Sequence, residues 1–303
     1  MEASACSAII TAAGMSSRMG RLKPLLPLGD STYIRHLIST FLRAGLEDIV
    51  VVGGRDFSAL REHLTGIPVR LVYNEKYASS QMFDSVCLGL KARGKRDGGT
   101  FITPIDAPLF SEKTVLLLLR SSAEAAKPGR KGRTGHPLFL SSAQAERAEH
   151  YTGEEGLWGF LRTVPGGALA VETDDPFAFG DTDTPEEYAA LIAKYDEYRK
   201  NCAPDAATLE ELSAAMSDRE REQGELLCRR ALEHSARLRQ RGIEMNDSVL
   251  ASCALLYPRR EEAAGKLKTL GFVPSAEALR GGSDGIFDEG ELLRLLTDGT
   301  AAE

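Results

Sequence analysis

The sequence has few cysteines, and their spacing is not that of a metal cluster or a disulfide framework. Five occur among 303 residues, and no two of them form a C-x-x-C pair. They are Cys6, Cys87, Cys202, Cys228 and Cys253. The spacing disfavours both kinds of cross-link, and we expect reduced, buried thiols of the kind found in cytosolic proteins.

Long apolar segments and a strong charge bias are also missing. The longest purely apolar run is Val115–Leu119, far shorter than a membrane-spanning helix. The N-terminus lacks the basic segment and apolar core of a secretory signal. The net charge of −7 is modest, so no general attraction to nucleic acid or anionic membranes is expected. These features predict a soluble, cytoplasmic protein that binds neither nucleic acid nor membrane.

Two common nucleotide-binding motifs, G-x-x-x-x-G-K-[ST] and G-x-G-x-x-G, do not occur in the chain. Residues 8–29, AIITAAGMSSRMGRLKPLLPLG, nevertheless have features of a phosphate-binding loop. The apolar start predicts a strand buried on both faces, and Gly14 ends it where the backbone can approach a ligand closely.

Polar groups follow that strand at positions suited to a polyphosphate. Ser16, Ser17 and backbone N–H groups can cradle phosphate oxygens. Arg18 offers a planar pair of donors and Lys23 a compact charge. The alternative is an ordinary strand-to-helix turn with two solvated cations. The complete pattern favours nucleotide chemistry.

Two further segments carry carboxylates that are candidates for holding a metal ion. Asp106 follows the apolar run Phe101–Ile105, and ligands of open α/β sheets bind at the C-terminal ends of strands. Mg²⁺ takes a few carboxylate oxygens and keeps several waters, so Asp106 is a candidate ligand. The alternative for Asp106-Ala107-Pro108 is a simple turn.

The second acidic segment is GDTDTPEE, residues 180–187. Thr184 is predicted to cap a helix, with Pro185 at its first position and Glu187 completing a capping box. Asp181 and Asp183 lie just before this predicted helix start.

The pattern of apolar residues predicts two domains, at residues 1–199 and 200–303. Residues 1–199 alternate strand-like and helix-like segments, which predicts an α/β fold with a mostly parallel sheet. Residues 201–207 have the composition of a linker, and Leu209–Leu296 is almost wholly helical with interleaved charges. The predicted strands after the first are Ile49–Val52, Val69–Tyr73, Phe101–Ile105, Pro137–Leu140 and Ala168–Val171. The predicted core of the helical domain is Leu226, Ala231, His234, Leu238, Val249, Leu255 and Leu256.

The N-terminal segment resembles the signature A-A-G-x-S-x-R-M-G-x-x-K-x-L-L-P-L of MobA-like nucleotidyltransferases, specifically their molybdenum cofactor cytidylyltransferase branch. The matching residues are Ala12, Ala13, Gly14, Ser16, Arg18, Met19, Gly20, Lys23, Leu25, Leu26, Pro27 and Leu28. The resemblance implies a three-layer, Rossmann-like nucleotidyltransferase domain followed by a small all-α domain.

This resemblance also assigns roles to individual residues. It implies that Arg18, Lys23 and Asp106 are catalytic. Asp106 and Asp183 would bind Mg²⁺, with Asp181 the weaker candidate for a further ligand. Ala107 departs from the family's usual Asp-Gln-Pro at this place.

Two segments resemble family elements around the nucleotide and the acceptor. Asn74–Leu90 contains the Met-x-x-Ser pattern as Met82 and Ser85. In that interpretation Ser80, Gln81 and Ser85 face the nucleotide or the acceptor, alongside Ala12, Ala13, Gly14, Ser16, Ser17, Arg18 and Lys23. The alternative is an ordinary polar loop before an amphipathic helix.

Candidate acceptor-binding residues occur in two other family-like strings. Gly135-His136-Pro137 resembles the family's Gly-His-Pro, although a structural role for His136 is the preferred interpretation. Gly153 and Gly156 match a family G-x-x-G segment near the acceptor pocket. Trp158 and Phe160, which follow, are predicted to lie in the core.

The basic segment PGRKGRT, residues 128–134, is predicted to be a mobile surface loop. The alternative is a lid in which Arg130, Lys131 and Arg133 attract the acceptor's phosphate.

The C-terminal region weakly resembles an HD-type helical domain. Where such domains carry a metal-binding histidine and a His-Asp pair, this chain has Leu227 and Tyr257-Pro258, and Glu261 stands at a later histidine position. We expect no phosphohydrolase activity, and expect this region to pack, dimerise or dock a partner.

The resemblance implies Mg²⁺-dependent transfer of CMP from CTP to a molybdopterin-type cofactor, with release of pyrophosphate. A molybdenum hydroxylase or its maturation factor is the implied partner. GTP-dependent and sugar-1-phosphate transferases need the same phosphate-binding groups and remain open. A nonenzymatic nucleotide or cofactor carrier is the third interpretation, since Ala107 and the residues around Ser80 depart from the family pattern.

Overall fold

The computed structural model describes residues 2–14, 20–95, 97–281 and 288–298. The chain divides into two compact units, Met1–Ala190 and Leu191–Glu303. The division falls inside one helix, Pro185–Lys200, and the predicted boundary after residue 199 lies near the end of that helix. Because a continuous helix has no break in composition, the sequence signals the linker after the helix and not the division within it.

The first unit is built on a central sheet. Its strand order is β10-β7-β9-β6-β1-β4-β5, with β8 paired to β7, and β2 and β3 form a separate antiparallel pair. The strands are β1 (Ser7–Ala12), β2 (Pro27–Leu28), β3 (Ser31–Thr32), β4 (Asp48–Gly53), β5 (Arg70–Tyr73), β6 (Thr100–Pro104), β7 (Ala125–Arg130), β8 (Arg133–Thr134), β9 (Leu138–Leu140) and β10 (Leu169–Glu172).

The centre of this sheet is parallel. Ile9 of β1 is aligned with Val50 of β4 and with Ile102 of β6, and all six residues of β1 are buried. β9 runs antiparallel to its neighbours β6 and β7. The predicted mixed α/β fold with a mostly parallel sheet is therefore confirmed.

Helices cover both faces of the sheet. Phe101 of β6 packs against Phe41 with ring centroids 6.0 Å apart, whereas the next residue, Ile102, belongs to a core cluster with Phe83 and Val86. Successive strand residues point to opposite faces, so these contacts define three layers. The helices of this unit are α1 (Tyr33–Arg43), α2 (Phe57–His63), α3 (Met82–Ala92), α4 (Glu112–Arg120), α5 (Ser142–Glu149), α6 (Gly156–Thr163) and the start of α7 (Pro185–Lys200).

Two predicted helix starts are confirmed by their capping residues. Ser111 caps α4, because its hydroxyl accepts the N–H of Thr114 at 3.3 Å. At the start of α7 the Thr184 hydroxyl accepts the N–H of Glu187 at 3.2 Å, and the Glu187 carboxylate accepts the N–H of Thr184 at 2.9 Å. The predicted capping box is confirmed.

Two expectations for this unit are wrong. Residues 128–134 are not a loop: Pro128–Arg130 end β7 and Arg133–Thr134 form β8, joined by a turn in which Lys131 and Gly132 have positive φ. Glycine and proline are uncommon in strands, so the composition of this segment did not indicate one.

Trp158 is 69% exposed and is not part of the core, whereas Phe160 is buried as predicted. Positions two apart on a short helix point to different sides, so both cannot face the sheet.

The second unit is helical throughout its described regular structure. Ala231, Leu238, Val249 and Leu256 are buried in its core as predicted. Leu226 is 51% exposed, and the adjacent Leu227 takes the inward position, a distinction that two neighbouring leucines do not reveal in sequence. The helices after α7 are α8 (Ala206–Ser213), α9 (Asp218–Gln240), α10 (Asp247–Leu256), α11 (Arg260–Thr269), α12 (Val273–Leu279) and α13 (Glu289–Asp298). Within the described ranges, no helix combines the length and apolarity needed to cross a membrane.

Close packing of α3 on β1 depends on Gly89. A β-carbon at this position would overlap Cγ2 of Ile9, which is fully buried. We expect Gly89→Ala to lower the free energy of unfolding by about 1–3 kcal/mol, despite alanine's better helix propensity. Urea unfolding followed by circular dichroism measures this change.

Gly265→Ala is the matched control for that substitution. Gly265 lies on α11, where an added β-carbon meets nothing within 4 Å. The free energy of unfolding of the Gly265→Ala protein is expected to stay the same or to rise slightly. Equal stability of Gly89→Ala and the wild type would contradict the packing argument.

Candidate active site

A cavity of about 440 Å³ opens at the C-terminal ends of β1 and β6. This is the edge at which open α/β sheets bind ligands. Several predicted nucleotide-binding residues line it, whereas Ser16, Ser17 and Arg18 fall outside the described residues. The predicted residues on the cavity wall are Ala12, Ala13, Gly14, Lys23, Ser80, Gln81, Ser85, Asp106 and Asp183.

Lys23 joins the two acidic segments at the cavity wall. Its Nζ lies 2.7 Å from Oδ1 of Asp183 and 3.8 Å from Oδ2 of Asp106. The lysine side chain is only 10% exposed, in a short 3₁₀ helix, Lys23–Leu25. Two carboxylates more than seventy residues apart in sequence thus face one ammonium group, as the resemblance implies for residues of a shared site.

Asp106 differs from Asp183 in its exposure to solvent. Its side chain is 25% exposed, and that of Asp183 is 52% exposed. Burial raises the pKa of Asp106 above its ordinary value, while the Lys23 ammonium lowers it and the carboxylates of Asp183 and Asp181 raise it. The Lys23 ammonium therefore opposes a net rise in the pKa of Asp106 that burial and the neighbouring carboxylates cause.

Thr182 holds the two acidic segments together. Its backbone N–H donates to the carbonyl oxygen of Asp106 at 3.0 Å, and its hydroxyl lies 3.2 Å from the same oxygen. That hydroxyl is also 3.3 Å from the hydroxyl of Tyr33, a fully buried residue of α1. Burial raises the pKa of Tyr33 to about 12, so the phenol stays protonated. Thr182 is itself buried, and it fixes Asp183 next to Asp106.

The start of α7 orients Asp183. The Glu187 carboxylate accepts the backbone N–H of Asp183 at 2.7 Å, in addition to its capping contact with Thr184. Tyr188 of the same helix donates its hydroxyl to the carbonyl of Pro27 at 2.9 Å. The capping box therefore also fixes the backbone at Asp183, whose carboxylate lines the cavity.

The loop before α3 is organised by Asn74, a buried residue that the sequence analysis did not single out. Its amide donates to the hydroxyls of Ser80 at 2.9 Å and Ser85 at 3.0 Å, and its Oδ1 accepts the N–H of Lys76. Tyr77 and Met82 also line the cavity. An asparagine directly after a predicted strand was the available signal for this network.

The predicted acceptor-binding residues lie outside the described cavity wall. Gly156 lies close to this wall, since a β-carbon added to it would be 3.8 Å from Oε1 of Gln81, which lines the cavity. Gly153 packs against Tyr151. Asp181 is exposed, and its charge acts on both Asp106 and His136.

His136 lies in front of β9, and its backbone N–H donates to the carbonyl of Ala178 at 2.8 Å. Within the described part of the chain, its buried Nδ1 has no hydrogen-bond partner. Burial lowers the pKa of His136 to about 4, with a further decrease from Lys127 and an opposing effect from Asp181. The imidazole is therefore neutral at physiological pH.

The described residues contain no group of three or more His, Cys, Asp or Glu side chains arranged to hold a metal ion by themselves. In the helical unit, Leu227 belongs to the apolar core and Tyr257 packs at its edge. Any metal at the cavity would therefore rely on few protein ligands, as Mg²⁺ beside phosphates commonly does.

The arrangement agrees with a comparison against known families. The model of the MobA-like NTP transferase domain matches residues 8–171, more than half of the chain. The chain belongs to the MobA-like NTP transferase family. It is therefore a nucleotidyltransferase by family and fold. The matched region contains β6, β1 from Ala8 onward and the cavity-lining residues other than Asp183.

Individual relatives agree with this assignment. The chain is 29% identical over 141 residues to a probable molybdenum cofactor guanylyltransferase of Bacillus mycoides, covering 46% of this chain and 68% of that protein. It is 27% identical over 196 residues to the molybdenum cofactor cytidylyltransferase of Escherichia coli, covering 64% of this chain and 99% of that protein.

Solved structures share the fold. A nucleotidyl transferase from Methanothermobacter superposes with a TM-score of 0.55 at 23% identity, covering 64% of this chain and 98% of that one. Rv0371c of Mycobacterium tuberculosis, in complex with manganese, gives a TM-score of 0.51 at 22% identity, covering 62% and 98%. Both likenesses concern the fold alone.

The buried imidazole of His136 generates a pH-dependent prediction. Its folded pKa of about 4 is below the unfolded value of about 6.5, so the folded state binds fewer protons. The stability contributed by this group is complete above pH 6.5 and is lost as the pH falls towards 4. We expect NMR titration to show one imidazole that does not titrate between pH 8 and 5, and whose signal is missing in His136→Gln. Titration of that signal near pH 6.5 would contradict the burial argument.

Proposed function

We propose that the protein is a Mg²⁺-dependent nucleotidyltransferase that acts in the cytoplasm. It transfers CMP from CTP to a phosphate of a molybdopterin-type acceptor and releases pyrophosphate. The observation that carries this proposal is the contact of Lys23 with both Asp106 and Asp183 at the cavity. Those charges are of the type that phosphoryl-group chemistry requires.

The residues present fit Mg²⁺. Asp106 and Asp183 supply carboxylate oxygens close to the same Lys23 ammonium at the cavity wall, and Asp181 contributes a further negative charge nearby. Mg²⁺ is a hard cation that prefers such oxygens and shares its remaining positions with water and phosphates. When bound, the ion supplies positive charge that offsets the charge of the triphosphate.

The chain's own residues supply alignment and charge in this proposal. Lys23 neutralises negative charge that moves from the α-phosphate towards the departing pyrophosphate, and Arg18 holds phosphate oxygens through its planar pair of donors. Ala12, Ala13 and Gly14 leave space for the nucleotide at the end of β1. Ser80 and Ser85, both hydrogen-bonded to Asn74, line the same cavity together with Gln81.

The transfer itself needs no covalent intermediate with the enzyme. An oxygen of the acceptor phosphate attacks the α-phosphorus, forming a P–O bond, while the bond to the β-phosphate breaks and its electron pair leaves with pyrophosphate. The nucleophile is already anionic, so no general base is required. The barrier is mainly charge repulsion and alignment, which positioned charges and a preformed cavity reduce.

The assignment of CTP rests on two lines of support. Residues 8–29 resemble the cytidylyltransferase branch, and the alignment with the Escherichia coli cytidylyltransferase spans 99% of that protein. The similarly distant guanylyltransferase makes GTP the competing nucleotide. A molybdenum hydroxylase or its maturation factor is the proposed recipient of the product, a dinucleotide form of the cofactor.

Pyrophosphate release separates the candidate functions. We expect release from CTP in the presence of molybdenum cofactor and Mg²⁺, and little release from ATP, GTP or UTP. Each nucleotide is assayed with and without the cofactor, and with a sugar 1-phosphate as alternative acceptor. Preference for GTP or for the sugar phosphate would change the substrate assignment, and nucleotide binding without release from any pair would favour a carrier.

Removal of the cavity charges is expected to slow this reaction strongly. Lys23→Ala, Asp106→Asn and Asp183→Asn should each reduce turnover by about 10²–10³, the usual effect of losing one electrostatic group. Asp97→Asn is the matched control, since Asp97 is an exposed loop residue before β6, at the opposite edge of the sheet. Full turnover by Lys23→Ala would contradict the proposed role of the lysine.

A further inference from the structure

Lys127 lies on the sheet face that carries the cavity, although the mechanism above does not use it. Ile102 of β6 is aligned with Leu138 of β9, and both belong to one core cluster with Ala125 of β7. Alternation along a strand puts Lys127 on the same face as Ala125, two residues further towards the C-terminal end. β7 runs parallel to β6 through their shared neighbour β9, and the register places Lys127 level with Ile102, four residues before Asp106.

The surroundings of Lys127 are unusual for a lysine. It is half-buried, and burial lowers its pKa. Among the described residues, no carboxylate or hydrogen-bond acceptor pairs with its ammonium, and its recorded contact is with the ring of Trp158, 5.6 Å from Nζ to the ring centroid. A partly desolvated cation without an anion is unfavourable, so an anionic ligand would stabilise it.

Trp158 is equally unusual, because the indole is 69% exposed. It lies in the first turn of α6, next to Gly156, which contacts Phe83 and approaches Gln81 of the cavity wall. Exposed aromatic rings beside a cation are typical of sites that bind flat, charged ligands. The charge of Lys127 also acts on His136, one of the predicted acceptor residues. Lys127 is thus coupled electrostatically to His136, and the helix that carries Trp158 begins close to Gln81 of the cavity wall.

We propose that Lys127 and Trp158 form the subsite that recognises the second substrate. The ammonium pairs with an anionic group of the acceptor, and the indole stacks on a planar heterocycle. This inference rests on the proposed function and names the residues that recognise its phosphorylated, flat acceptor.

The chain carries a direct reporter for this subsite, since Trp158 is its single tryptophan. The probe is a monophosphorylated pterin added to the full-length protein, with free tryptophan amide correcting for absorption by the probe. We expect saturable quenching of the Trp158 fluorescence. Lys127→Met should raise the dissociation constant about 10–100-fold, because a charged hydrogen bond is lost, and Lys127→Arg should restore most of the affinity.

Lys95→Met is the matched control, since Lys95 is an exposed lysine at the opposite edge of the sheet. Its dissociation constant is expected to equal that of the wild type. No quenching by the phosphorylated pterin, or wild-type affinity in Lys127→Met, would overturn the subsite.

Kinetics separate this inference from the proposed function. Trp158→Ala should raise the KM for the acceptor about tenfold and leave the KM for the nucleotide unchanged, and Trp158→Phe should show a smaller increase. Pyrophosphate release with an unchanged acceptor KM in Lys127→Met and Trp158→Ala would overturn the subsite and leave the function standing. Saturable quenching without pyrophosphate release from any nucleotide would overturn the function and leave the subsite standing.

Discussion

The contact between Lys23 and two carboxylates is the interaction on which the candidate site depends. Asp106 is mostly buried and stands near two other negative charges, so burial and repulsion both favour its neutral form. The lysine ammonium opposes both effects from within the same cluster. Because the side chains of Lys23 and Asp106 are mostly buried, solvent screens their attraction weakly, whereas it screens the contact with the half-exposed Asp183 more strongly. Without this cation, the two carboxylates would repel each other with no compensating charge from Lys23, and Asp106 would also be mostly buried.

Backbone contacts, more than side chains, bring these charges together. Thr182 bonds to the main chain of Asp106, and the capping box of α7 bonds to the main chain of Asp183. The parallel pairing of β1 with β6 brings the end of the glycine turn to the same edge. The capping box is local in sequence, whereas the contact of Thr182 with Asp106 and the pairing of β1 with β6 join distant parts of the chain. The site lies where these three contacts meet.

The fold could be predicted largely from the sequence. β-Branched runs marked the central strands, and Ser111 and Thr184 marked helix starts by chemistry that needs no tertiary information. The meeting of Asp106 with Asp183 followed from family resemblance and from the rule that strand ends share an edge. The network around Asn74 was missed because one buried amide linking two serines has no periodic signal.

The errors have two physical causes. Trp158 and Leu226 were assigned to cores because they are apolar, yet apolarity alone does not say which side of a helix a residue occupies. The β7–β8 hairpin was missed because Pro128, Gly129 and Gly132 resemble loop composition. Pro128 and Gly129 nevertheless lie in a strand paired on both sides, and Gly132 lies in the turn that follows it. Tertiary pairing outweighed local propensity in this segment. The roles of Ser16, Ser17 and Arg18 remain predictions from the resemblance.

The order of the strands separates two tasks within one sheet. In the proposed function, the groups that bind the nucleotide triphosphate lie at the ends of β1 and β6 and just before α7, whereas Lys127 lies on β7 and His136 just before β9, on the other side of β6. Substitutions that retune the preference for an acceptor can therefore accumulate on one flank without disturbing the charges on the other. Because of this separation, the same fold can acquire a new product through substitutions near β7 and β9 alone. Exchanging only those residues is then the direct way to redesign the acceptor preference.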